Sequence, residues 1–89
     1  MRLFVQQPTL DTRAVICLFG EHVRRRRKAR GWTQERLAEQ AKLDRTYISG
    51  VERGVRNPTL LIAAAIAEAL EVEVWELLIA RESVESAGS

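Results

Sequence analysis

The stretch at residues 33–53, TQERLAEQAKLDRTYISGVER, constrains the fold most, because it reads as two short helices joined by a tight turn. Thr33, followed by Glu35 and Arg36, is a helix start, and Leu37, Ala38 and Ala41 then share one face at helical spacing. Lys42, Leu43 and Asp44 make the turn. Asp44 starts the next helix, since its carboxylate can accept from backbone N–H groups that the first turn leaves free. In that helix, over about 45–53, Ile48 and Val51 point one way and Arg45, Thr46 and Ser49 the other.

The flanking segments supply further helices. Residues 1–13 lack a sustained period and contain Pro8, so an N-terminal arm or short extension is expected there. From Ala14 the pattern turns helical through Val15, Ile16, Leu18, Phe19 and Val23, with Gly20 inside it at a cost to helix stability. Arg24, Arg25 and Lys28 read as a solvated face. Arg27 lies four residues after Val23, on the buried side, and needs an anionic partner. Gly31 ends this helix in a left-handed conformation, and Trp32 follows as an apolar plug. After Gly54 and a polar loop at 55–58, Thr59 caps a fourth helix over 60–70 whose core stripe is Leu60, Ala63, Ile66, Ala67 and Leu70. Leu61 and Ile62 lie off that stripe, a surplus that fits a partner surface or a deep core. Val72 packs the connection. A fifth short helix closes the core through Val74, Leu77 and Leu78, leaving Trp75 and Ile79 for a subunit interface. Residues 81–89 read as a tail. The expectation is one all-α domain over residues 14–80, a compact five-helix unit.

Composition bears on function through the distribution of charge. Of the 89 residues, 20–57 hold eleven Lys and Arg against five Asp and Glu, whereas 58–89 hold one Arg against six Glu. The basic half contains the helix pair, an electrostatic footprint for a polyanion at one end of the domain. Arg, Thr and Ser on one exposed helix face are also the types that match base edges in a major groove. No apolar run approaches the roughly 20 residues of a membrane span, and no secretory leader is recognisable. Cys17, the single cysteine, cannot form an internal disulfide, which fits a reducing cytoplasm; it reads as a small buried hydrophobe. The single histidine, His22, reads as a surface residue, with no cluster at metal-ligand spacing. No phosphate loop, nucleophile motif or carboxylate pair suggests an enzyme or a cofactor.

Several motifs in order resemble a known family. They are FGEHVR at 19–24, RGWTQERLA at 30–38, LDRTYISGVERG at 43–54, RNPTL at 56–60 and ALEV at 69–72. Together they resemble the five-helix, lambda-repressor-like helix-turn-helix domain of the Cro/repressor, or xenobiotic-response-element, family. DRTYISG is most similar to the controller proteins of restriction-modification systems. The resemblance implies a sequence-specific transcriptional regulator that binds double-stranded DNA as a homodimer on a palindromic operator. It implies base reading by Arg45, Thr46 and Ser49, and backbone contacts from Thr33, Gln34, Tyr47, Arg56 and Asn57. It also implies a semi-buried salt bridge between Arg27 and Glu52. Two positions depart from the family pattern: Lys42 stands where glycine is usual in the turn, and Arg26 where leucine is common. A protein-interaction module of the same fold, antitoxin-like or polymerase-associated, is the alternative. No second domain offers a pocket for a small effector, so control by the protein's own concentration is the simpler expectation.

Overall fold

The computed structural model describes residues 11–79; the expectations for an arm before residue 11 and for a tail after residue 79 lie outside them. Four α-helices follow in order: α1 Thr12–Ala29, α2 Gln34–Ala41, α3 Arg45–Glu52 and α4 Leu60–Leu70. Each begins with an oxygen that takes a backbone proton its own helix cannot use. Asp11 accepts from Arg13 N, Thr33 from Arg36 N, Asp44 from Thr46 N and Thr59 from Ile62 N. The Asp11 cap starts α1 at Thr12, two residues before the apolar pattern does.

The ends are as local as the starts. Gly31 closes α1 at φ 73°, with its N–H on Lys28 O and that of Trp32 on Arg27 O. Lys42 closes α2 in the same left-handed region, φ 59° and ψ 45°, although a lysine takes it at a cost of about 1 kcal/mol. The turn therefore keeps its backbone shape, and Leu43 N–H still reaches Ala38 O at 2.8 Å.

One buried set joins the helices. Val23 of α1, Leu37 of α2, Ile48 and Val51 of α3, Ile66 of α4 and Leu77 are all fully inaccessible. Trp32, Tyr47, Ile62, Val72 and Val74 pack around them half-buried. α1 crosses α3 so closely that a Cβ on Gly20 would overlap the carbonyl oxygen of Val51. The helix-weakening glycine is thus what lets the two backbones meet.

The structure corrects several expectations. Among the described residues there are four α-helices, not five helices: Val74–Leu77 is a single 3₁₀ turn, closed by reciprocal bonds between Glu73 and Glu76, and Leu78 has already left helical geometry at φ −120°. The apolar residues at 74–79 cluster, but the run is too short to propagate a helix. Leu60, expected in the core, is 79% exposed, because a side chain in the first turn points back toward the helix start and overhangs the core. Leu78, similarly expected inside, is 43% exposed once the turn ends. Cys17 is exposed, since the first turns of α1 project beyond the core, and its sulfur lies against Gly54. His22 is buried, not superficial: the segment after the 3₁₀ turn crosses α1, and its Nε2 stands 2.8 Å from Ile79 O. Arg26 sends its guanidinium to Glu76 at 3.2 Å, tying α1 to the 3₁₀ turn. None of the described helices is long and apolar enough to cross a membrane.

Candidate nucleic-acid interface

The outward face of α3 is held from beneath by a buried ion pair. Arg27 of α1 meets Glu52 of α3 side-on, Nε to Oε2 at 2.7 Å and Nη2 to Oε1 at 3.0 Å. Its Nη1 donates to Trp32 O at 2.8 Å, so the buried guanidinium has a partner on each nitrogen. Hydrogen bonding to Glu52 raises the Arg27 pKa against the opposing effect of burial, and the guanidinium stays charged.

From Glu52 the chain of contacts runs outward. Gln34, at the start of α2, donates Nε2 to Glu52 Oε1 at 3.0 Å, and its own Oε1 accepts from Arg45 Nη1 at 3.3 Å. Both ends of the Gln34 amide are therefore used, which fixes α2 against α3. Arg45 is half-exposed and lies 3.7 Å from Glu35, itself mostly in water. An exposed pair at that separation contributes about 0–1 kcal/mol, little enough for Arg45 to exchange it for another acceptor. The guanidinium is parked without being locked.

The rest of the face is less uniform than its pattern suggests. Thr46 donates its hydroxyl to Asp44 Oδ1 at 3.0 Å, leaving the oxygen lone pairs and the methyl group free to meet a ligand. Bonds from the Thr46 backbone and hydroxyl, and the Arg45 charge, lower the Asp44 pKa. This cap is therefore complete above the unfolded Asp value near about 3.9, and is lost as pH falls through the lower folded value. Ser49, one turn on, is half-buried. Thr33 spends its hydroxyl on the α2 cap. Tyr47 is half-buried with the Arg56 guanidinium 5.2 Å from its ring centre, and the Arg56 stem crosses Gly50 where a side chain would block it. Asn57 is exposed in the same loop.

Thus Gln34, Arg45, Glu52 and Arg27 come together in one network, and Tyr47 and Arg56 in a second. Trp75 and Ile79 stay apart from both, 62% and 38% exposed, beside the exposed Leu60 and Leu61 only in the sense that all four belong to the C-terminal half. Three features escape the residue pattern. Glu35 partners Arg45, as its place in the first turn of α2 permits; Arg30 and Arg36 flank the Trp32 ring at 4.8 and 5.2 Å; and Arg24 and Arg53 line one hollow with Ser49.

The sequence and the fold are similar to those of known proteins. Residues 23–76 match the helix-turn-helix family model. A hypothetical transcription factor of Neisseria meningitidis is 44% identical over 69 residues, which cover 78% of this chain and 62% of that protein's length. The crystal structure of the restriction-modification controller protein C.AhdI from Aeromonas hydrophila superposes with a TM-score of 0.69 at 45% identity, covering 72% of this chain and 97% of that one. The controller protein C.Esp1396I, crystallised as a tetramer with its natural 35 base-pair operator, superposes with a TM-score of 0.67 at 39% identity, covering 72% of this chain and 88% of its own.

Proposed function

The chain belongs to the helix-turn-helix family, its match spanning residues 23–76, and from that premise we propose that it is a sequence-specific DNA-binding transcription regulator of the controller-protein kind. In this reading α3 enters the major groove. Arg45 donates two N–H groups to guanine O6 and N7, and Thr46 and Ser49 meet neighbouring base edges. Thr33, Gln34, Tyr47, Arg56 and Asn57 contact the phosphates that set the register of the helix. The observation that carries the reading is the continuous path Arg27, Glu52, Gln34, Arg45, in which a buried ion pair anchors the helix and its last member is a loosely held guanidinium in water.

One such unit spans too few base pairs for useful specificity, so the working form is a two-fold dimer on a palindromic operator, its half-sites about one helical turn apart. The exposed apolar side chains Trp75 and Ile79, on the acidic half of the chain, support a second copy as their cover. The likeness to C.Esp1396I, which assembles on an operator, supports the same reading.

Selection of bound sites from random duplex DNA tests it. A two-fold symmetric consensus is expected. Arg45→Ala then loses about 1–3 kcal/mol of discrimination at the guanine it contacts, with no change in sedimentation. Unchanged preference in that variant refutes base reading by Arg45, and an isolated, unrepeated half-site refutes the dimer.

A further inference from the structure

Beside α3, on the side facing α1, lies a surface hollow of about 260 Å³ lined by Arg24, Gln34, Ser49, Glu52 and Arg53. At roughly 30 Å³ of liquid volume per water, it has room for a tetrahedral anion together with part of its solvent shell. The charge around it is unbalanced. Glu52 offers no free negative charge, because Arg27 holds both of its oxygens and Gln34 shares one. Arg24 and Arg53 are exposed, and among the described residues neither stands within ion-pair distance of a carboxylate. Two arginines without an ion-pair partner among the described residues, one on α1 and one just past the end of α3, therefore border one space, with Ser49 on its wall.

Resting on the DNA reading above, we propose that this hollow seats a backbone phosphate of the bound duplex, clamped by Arg24 and Arg53. The planar fork of arginine matches two oxygens of a phosphate, and two forks from α1 and the end of α3 would hold it from both sides. The clamp brings α1 into the interface and ties it to the reading helix through one anchored group. Its border at Ser49 adjoins the row that Arg45 begins, so the phosphate also fixes how far α3 slides along the groove. Arg25, the next residue on α1, lies about 100° around the helix and lines no part of the hollow.

The experiment compares wild type with Arg24→Gln, Arg53→Gln and Arg25→Gln, all at exposed positions. Affinity for the selected duplex and for a scrambled duplex is measured by fluorescence anisotropy at several salt concentrations. Arg24→Gln and Arg53→Gln are each expected to weaken both duplexes by the same factor and, between them, to lower the slope of log K against log salt by about 0.9, the share of the one phosphate they hold. Their combined deficit relative to wild type then shrinks about 3.5-fold from about 50 to about 200 mM salt, a fourfold change raised to that slope. Arg25→Gln should leave the slope nearly unchanged. The clamp is overturned if the first two variants keep the wild-type slope, or if Arg25→Gln matches them, which would make the effect one of net charge. Failure of the wild type to prefer any duplex would instead remove the DNA reading, and this inference with it.

Discussion

Replacing Glu52 by Gln tests the mounting of α3 directly. The Arg27 and Glu52 side chains are only 10% and 4% exposed, and the shorter of their contacts is 2.7 Å. The substitution leaves the Arg27 charge in place, withdraws its counter-charge and turns one acceptor into a donor. Removing one partner of a buried ion pair costs about 3–5 kcal/mol, well above the roughly 1 kcal/mol limit of surface pairs. For a chain of 89 residues the whole stability is about 4–13 kcal/mol, so the loss is a large fraction of it. In a domain of this size 1 kcal/mol moves Tm by about 4–8 °C, and a fall on the order of 20 °C is expected. Urea titration followed by far-ultraviolet circular dichroism measures the free energy, and a thermal scan the shift in Tm. The double variant Arg27→Met, Glu52→Leu removes both charges together and should recover most of the stability, since apolar replacement of a buried pair is often neutral or better. It should not recover DNA affinity, because Gln34 has lost the acceptor that orients it. A loss below about 1 kcal/mol in Glu52→Gln, or a double variant no more stable than the single, would refute the claim that this pair is buried and coupled.

The other predictions concern the turn, the helix crossing and the exposed apolar surface. Lys42→Gly should stabilise by about 1 kcal/mol, because φ 59° strains any side-chain-bearing residue but not glycine; a lower urea midpoint would contradict it. Gly20→Ala should destabilise by about 2 kcal/mol, the overlap with Val51 O costing up to about 3 kcal/mol against a helix-propensity gain near 1; a more stable variant would mean that α1 and α3 are not in contact there. Trp75→Ala should shift a monomer–dimer equilibrium toward monomer in analytical ultracentrifugation while leaving the urea midpoint of the monomer nearly unchanged, as its 62% exposure requires; an unaltered equilibrium would exclude Trp75 from the interface.

Much of the molecule is written in local signals. Thr33, Asp44 and Thr59 mark helix starts because a short side-chain oxygen satisfies an N–H within its own turn, and all three do so. Gly31 marks a helix end because the left-handed backbone is open to it. Helical spacing was enough to find Leu37, Ile48, Val51 and Ile66, and to see that Arg27 needed an anion. That Arg45, Thr46 and Ser49 turn away from Ile48 and Val51 follows from the same periodicity.

What the spacing could not supply was where each helix stops being covered. Leu60 and Leu61 are both in the first turn of α4, one on the apolar stripe and one off it, yet both are exposed because the core ends before they do. His22 and Cys17 occupy one helix and exchanged their expected environments, since burial at each depends on a segment far along the chain: Ile79 crosses over the first, while the second meets Gly54 and stays exposed. The same holds for Gly20, a defect by propensity that becomes the contact point of α1 and α3. It holds too for Arg24 and Arg53, 29 positions apart in the chain and lining one hollow. Caps, turns and faces depend on atoms within a few residues, so the sequence determined them alone. Burial, close approach and the meeting of distant charges depend on which surfaces come together, and only the packed structure decided those.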